Sequence, residues 1–267
     1  MKVKRILLTG DDGYNSLGTR ILIHYLKKDY DIVIAATKSQ QSGVGGRLSM
    51  KNGGKWGEAV VDGVRALWVD GSPVDAVECA ESYFPKPFDL IISGINLGAN
   101  VSGAIISSGT FAAAFRGIHL GLADKAIVVS WKSVPGSWIR DHNGSESIVQ
   151  ELEYPGTAAN KIIRESLKSH LWGAGVLNIN FPEKPTHKAA FTKFYPDITG
   201  YYKYPMIMDR KSRNYRYSLD YNPHKVKNLE YDIGALHRGF ISITPCQNDF
   251  LSTSIYKKLK NKHLELK

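Results

Sequence analysis

By residue 36 the chain has passed through an apolar β-run, a helically spaced segment and a second apolar β-run, and this order constrains the fold more than any other feature. Residues 5–9 read RILLT, residues 16–28 place Leu17, Ile21, Leu22, Tyr25 and Leu26 at helical spacing, and residues 30–36 read YDIVIAA. Together they predict a βαβ unit. Both β-runs are apolar at successive positions rather than alternate ones, as expected of parallel strands covered by helices on each face.

The pattern continues along the chain. Residues 39–54 are rich in Gly and Ser and read as a loop, and 59–69 hold two further strands. A helix is expected from Pro73 to about Tyr83, a strand in FDLIISGIN ending at Ser93, and a helix from near Thr110. A strand follows at 126–131, a helix at 156–171 and a strand at 175–181. Alternation of this kind predicts an α/β fold with a Rossmann-like, mostly parallel sheet and helices on both faces. After Pro182 the texture changes, and residues 189–221 mix aromatic, basic and polar side chains without helical spacing. They read as an extended β-hairpin arm, followed by a returning strand in ALHRGFISITP and a C-terminal helix from about residue 249. The expected division is a catalytic core over 1–185 and an arm, strand and C-terminal helix over 186–267, used in oligomerisation.

In open α/β sheets ligands sit beyond the carboxyl ends of the strands. The first strand ends in Thr9-Gly10 and delivers two adjacent carboxylates, Asp11 and Asp12, followed by Gly13. Neighbouring carboxylates repel, so the pair requires a bound cation, a shared proton or plain exposure to solvent. Two further loops fall on the same expected rim, 39–46 with the hydroxyls of Ser39 and Ser42, and 93–100 with the amides of Asn96 and Asn100. Oxygen donors without Cys or His suit Mg²⁺, Mn²⁺ or Ca²⁺ rather than zinc. Directly before the helix FAAAFRGI stands Ser107-Ser108-Gly109-Thr110, which either caps that helix or offers its N-terminus to a phosphate. Together a hard-cation site and an anion-binding helix end describe a phosphate ester hydrolase. A Walker loop and a GxSxG elbow are both missing from the sequence.

With 43% hydrophobic residues in 267, the chain can bury a sizeable core, and its formal net charge of +10 favours phosphorylated partners. Cys79 and Cys246 suit a reducing compartment. No apolar stretch approaches bilayer length and the N-terminus lacks signal-peptide character, so no membrane association and a cytoplasmic location are expected.

The segments RILLTGDDGYNSLG, SQQSGVGGRLSM, VDGSPVDAVECA, DLIISGINLGAN, SSGTFAAAFRGIHLG and ALHRGFISITP resemble, in order, the successive signatures of the SurE family of survival-protein nucleotidases. The resemblance implies a divalent-metal-dependent phosphomonoesterase acting on nucleoside 5′- and 3′-monophosphates and sometimes on short polyphosphate. It also implies one Mg²⁺ or Mn²⁺ per subunit and a homodimer or homotetramer built through C-terminal elements. Asp11 and Asp12 would be catalytic, and with Ser42 and Asn96 they would form the metal-ligand set. Asn96, Ser108, Gly109 and Thr110 would bind phosphate. The family carries Asn immediately before the acid pair, where this chain has Gly10.

Two other readings compete. Asp11 could act as a phosphoaspartyl nucleophile, although such enzymes place a second acid two positions on, at Gly13 here. The basic, aromatic arm at 195–221 would suit a non-catalytic nucleotide- or RNA-binding protein. Nucleic acid is not the expected partner, because the arm's tyrosines read as subunit-packing residues. The residue pattern assigns no general acid, and His119 lies near the SSGT motif.

Overall fold

A computed structural model describes residues 3–133, 136–197, 206–217, 226–247, 256–258 and 260. Its main sheet has nine strands: β1 (Arg5–Thr9), β2 (Asp31–Thr37), β3 (Trp56–Val61), β4 (Val64–Val69), β5 (Leu90–Leu97), β6 (Ala126–Trp131), β7 (Val176–Phe181), β8 (Ala189–Phe191) and, after the arm, Ile241–Cys246. The arm supplies β9 (Met206–Asp209) and β10 (Asn214–Tyr217), so the strand Ile241–Cys246 is β11. The sheet order is β3-β4-β2-β1-β5-β6-β7-β11-β8. Only the β3/β4 and β11/β7 pairs are antiparallel. Strand order reverses between β1 and β5, the position at which an open α/β sheet forms a crevice.

Five helices matter for the site: α1 (Leu17–Leu26), α2 (Pro73–Tyr83), α3 (Gly109–His119), α4 (Thr157–Lys168) and α5 (Asp232–His237). The buried residues of α1 and α4 join Ile6, Leu8, Ile34, Ile92, Leu177 and Ile179 in one core layer. On the other face α2 and α3 pack with Leu7, Val33, Ile91, Val128 and Val176. Alternate residues of one strand thus enter opposite layers, which is why successive positions are apolar. Local chemistry fixes the helix starts. Ser16 caps α1, and at α2 Ser72 and Asp75 form a reciprocal capping box with Pro73 at the first helical position.

Three features differ from the expectation drawn from sequence. The strand expected to end at Ser93 runs to Leu97, because its pairing with β6 shifts register between Ser93 and Asn96 and then resumes. Such a bulge re-aims side chains without ending the strand. The segment ALH belongs to α5, and the returning strand begins at Ile241. Both β8 and β11 join the main sheet, and the antiparallel pair β9/β10 is the hairpin, all eight of its residues exposed. Of the expected C-terminal helix only 256–258 and 260 are described, so the rest of that expectation lies outside the described residues. No described helix is long and apolar enough to cross a membrane.

Candidate active site

Asp11 and Asp12 stand immediately past the carboxyl end of β1, each only 4% exposed. Plain solvent exposure, one of three ways to accommodate the doublet, is thereby removed. Burial pushes the carboxyl of Asp12 well above its ordinary range, and the charge of Asp11 beside it adds to the shift. Burial raises Asp11 as well, opposed by the Thr110 hydroxyl and by backbone amides of Asp11, Thr110 and Gly109.

Each carboxylate is held by a different element. Asp11 Oδ1 accepts the hydroxyl of Thr110 at 2.5 Å. A Cβ added at Gly109 would stand 2.8 Å from Asp11 Oδ2, so the first residue of α3 must be Gly for the carboxylate to rest there. Asp11 therefore faces the positive end of the α3 dipole. Asp12 Oδ2 accepts the Leu97 backbone N–H at 2.8 Å, whereas Asp12 Oδ1 is buried with no hydrogen-bond partner among the described residues.

Asn96 lies on β5 just past the bulge. Its Nδ2 donates to the Gly98 carbonyl at 2.7 Å, and its Oδ1 is a second buried oxygen without a partner among the described residues. The bulge depends on glycine twice. Gly94 has a φ of 123°, and a Cβ there would fall 2.1 Å from the Val129 carbonyl oxygen. At Gly18 a Cβ would fall 1.8 Å from the carbonyl oxygen of Ile95, so the first turn of α1 packs directly on the bulge.

Ser42 sits on an exposed stretch pinned on both sides. Gln41 N–H donates to the Asp11 carbonyl at 2.7 Å, and Gly45 N–H donates to the Ser107 carbonyl at 3.0 Å. Farther along the loop, Ser49 donates its backbone N–H and hydroxyl to Asp75 at 2.9 and 2.7 Å. The capping box of α2 thus also tethers the Ser42 loop.

At the α3 N-terminus the two sequence alternatives resolve residue by residue. Ser108 is the N-cap, its Oγ accepting the Phe111 N–H at 3.0 Å, and Thr110 donates its hydroxyl to Asp11. Asn100, whose amide oxygen is a candidate ligand by sequence, gives its Nδ2 to Ser130 Oγ at 2.9 Å. His119 is remote from this cluster, in the last turn of α3 with Nδ1 2.8 Å from the Phe115 carbonyl. An added Cβ at Gly10 would meet only Gly94 N at 3.6 Å and Cα at 3.9 Å, so a Cβ there meets ordinary van der Waals contact.

No group of three or more His, Cys, Asp and Glu side chains gathers among the described residues. A cation here would have to use two acids and neutral oxygens. Two unpartnered buried oxygens, Asp12 Oδ1 and Asn96 Oδ1, beside Asp11 fit a hard divalent ion. Sequence reasoning missed Ser130, Asn178, Asn180, Gly18 and Asp75. For the asparagines a signal was present in VLNINF, where two amides take alternate positions of an otherwise apolar strand.

Comparison with known proteins agrees with this architecture. The family described as Survival protein SurE matches residues 6–201. A protein of Methanopyrus kandleri named 5′-nucleotidase SurE is 34% identical over 253 residues, spanning 92% of each chain. Its namesake from Rhodopirellula baltica is 29% identical over 97% of this chain and 99% of its own. The crystal structure of the SurE protein from Aquifex aeolicus superposes with a TM-score of 0.73 at 24% identity, over 96% of this chain and 98% of that one, which bears on the fold alone.

Proposed function

This chain belongs to the SurE family, and from that membership and the geometry at the end of β1 we propose that it is a divalent-metal-dependent phosphomonoesterase hydrolysing nucleoside 5′-monophosphates to nucleoside and phosphate. One observation carries the proposal: two adjacent carboxylates, both buried, stand with the unpartnered oxygens Asp12 Oδ1 and Asn96 Oδ1. Buried like charges are tolerated only when a cation or a proton neutralises them.

Asp11, Asp12, Asn96 and Ser42 would hold one Mg²⁺ or Mn²⁺. Such an ion polarises a phosphoryl oxygen and lowers the pKa of a bound water. The chain's own residues supply orientation. Thr110 and the α3 amides fix Asp11, Leu97 N–H fixes Asp12, and the β5 bulge aims Asn96. The N-terminal end of α3 carries the partial positive charge that steadies the equatorial phosphoryl oxygens. The Gly109 and Thr110 amides are spent on Asp11, so contact with phosphate at this end falls to the hydroxyl of Ser108, whose Oγ only accepts in its capping bond and keeps its O–H to donate.

The same phosphoryl recognition extends the proposal to 3′-monophosphates and short polyphosphate. Free thiols at Cys79 and Cys246 support a cytoplasmic setting, and the exposed hairpin β9/β10 supports a homodimer or homotetramer. The test is phosphate release from nucleoside 5′- and 3′-monophosphates, a polyphosphate and an aryl phosphate, each with Mg²⁺, Mn²⁺ or chelator. Cation-dependent release with a preference for nucleoside monophosphates is expected. Release that persists in chelator would overturn the metal dependence, and binding without release would favour a nucleotide-binding protein.

A further inference from the structure

A buried polar row crosses the sheet beneath the N-terminus of α3. Register pairs Asn96 on β5 with Ser130 on β6, Ser130 with Asn180 on β7, and Asn180 with Ser242 on β11. Ser130, Asn178, Asn180 and Ser242 are fully buried. Asn178 and Asn180 share a sheet face with Val176, which belongs to the apolar layer packed by α2 and α3. That face therefore changes from apolar to polar as it reaches the carboxyl ends of the strands. Burying amides there is costly for each group left unpaired, and an apolar side chain would fill the same volume without the risk.

Ser242 Oγ pairs with Thr192 Oγ1 at 2.7 Å, and the hydrogen bonds of Ser130, Asn178 and Asn180 converge on one residue. Asn180 Oδ1 accepts the Asn100 backbone N–H at 2.8 Å, while its Nδ2 donates to the Asn100 carbonyl at 3.0 Å. Asn178 Nδ2 donates to the same carbonyl at 2.8 Å. Held in this way, Asn100 gives its own Nδ2 to Ser130 Oγ at 2.9 Å and to Thr110 Oγ1 at 3.4 Å. Thr110 is the donor to Asp11. Ser93 Oγ, on β5, holds the Thr110 carbonyl at 2.7 Å.

We propose that Asn180, assisted by Asn178 and Ser130, is a positioning residue that acts through Asn100 and Thr110 to set the direction in which Asp11 presents its carboxylate. Asn180 grips both backbone groups of Asn100, and the bond from Asn100 Nδ2 to Ser130 Oγ orients the side chain. Its Nδ2 approaches Thr110 Oγ1 as a donor, which leaves the threonine hydroxyl free to point at Asp11. The inference rests on Asp11 being the functional carboxylate, as proposed above. Strands β5, β6 and β7 thereby brace a side chain that stands just past the end of β1.

The test compares full-length wild type with Asn180→Leu by calorimetric titration with Mn²⁺, thermal unfolding and steady-state hydrolysis of a nucleoside monophosphate. Loss of a direct hydrogen-bond partner of a ligand weakens metal affinity about 10–100-fold, and Asn180 acts two residues farther out. The expected result is an Mn²⁺ dissociation constant raised severalfold, with kcat reduced and KM little changed. A folded variant with wild-type Mn²⁺ affinity and wild-type kcat would overturn the proposal and leave the row a purely structural device. Should Asn180→Leu not fold, Ser130→Ala removes the acceptor of Asn100 Nδ2 at small volume cost. A severalfold weaker Mn²⁺ affinity is then expected, and an unchanged one contradicts the inference. Wild-type protein that binds Mn²⁺ without releasing phosphate refutes the nucleotidase reading and leaves the Mn²⁺ comparison to decide the role of Asn180. Wild-type protein that binds no Mn²⁺ overturns both.

Discussion

Thr110 Oγ1 lies 2.5 Å from Asp11 Oδ1, so the second residue of α3 spends its hydroxyl on the carboxylate at the end of β1. Thr110→Val keeps the shape and deletes the donor, leaving a buried carboxylate oxygen without this hydrogen bond. Metal-dependent phosphate release is expected to fall about tenfold or more, and Thr110→Ser to retain most of it. Parallel kinetics of the two variants check this, and equal activities would show that the hydroxyl is dispensable.

The acid doublet sets a pH dependence. Because the folded state raises the carboxyl of Asp12, first by burial and then by the neighbouring Asp11, it favours the protonated form there. The stability linked to that proton is present below the unfolded pKa of about 3.9 and is lost as pH rises through the folded value. In chelator at neutral pH, Asp12→Asn is therefore expected to melt higher than wild type, with each kcal/mol appearing as about 2–4 °C. At pH near the unfolded value the difference should close. Mn²⁺ at neutral pH should stabilise wild type and leave the variant nearly unmoved. Thermal melts over pH and metal concentration measure all three, and an Asn variant less stable in chelator at neutral pH contradicts the account.

Gly18 has no room for a methyl group. Its Cβ would meet the Ile95 carbonyl oxygen at 1.8 Å, so Gly18→Ala must push α1 away from the β5 bulge or displace Asn96. Destabilisation of about 1–3 kcal/mol is expected, as for an overpacked core, together with weakened Mn²⁺ binding. Denaturant unfolding and metal titration read the two effects, and a variant neutral in both would show that the bulge yields freely.

Much of this arrangement was legible in the sequence, and the remainder was not, for identifiable reasons. Strands apolar on both faces gave away the parallel sheet, and Pro73 and the turn residues marked boundaries close to those observed. Asp11, Asp12 and Asn96 come together because β1 and β5 are neighbours in the sheet, which the order of elements implied. The extension of β5 to Leu97 was hidden, since a bulge is a pairing property between two strands and leaves little local trace. The part Asn100 plays in holding Thr110 was hidden for a similar reason. Its partners Ser130, Asn178 and Asn180 lie 30 to 80 positions away in sequence.

Asp75 ties the loop that carries Ser42. Burial raises its carboxyl, but hydrogen bonds from Ser49 and Ser72 outweigh that and leave it below the ordinary carboxylate range. Its contribution to stability is thus present above the unfolded pKa and lost as pH falls through the folded one. Asp75→Ala removes both the tether and half of the capping box of α2. It is expected to cost about 1 kcal/mol and to raise KM for the nucleoside monophosphate more than it lowers kcat. Unaltered kinetics in a folded variant would mean that the Ser42 loop holds its place without Asp75.

The most direct test of the central claim is phosphate release from a nucleoside 5′-monophosphate in saturating Mn²⁺ by wild type and Asp11→Asn. This substitution keeps the size of the side chain and removes its charge. The account predicts that wild type releases phosphate and Asp11→Asn does not. Retention of most of the activity by Asp11→Asn would contradict it.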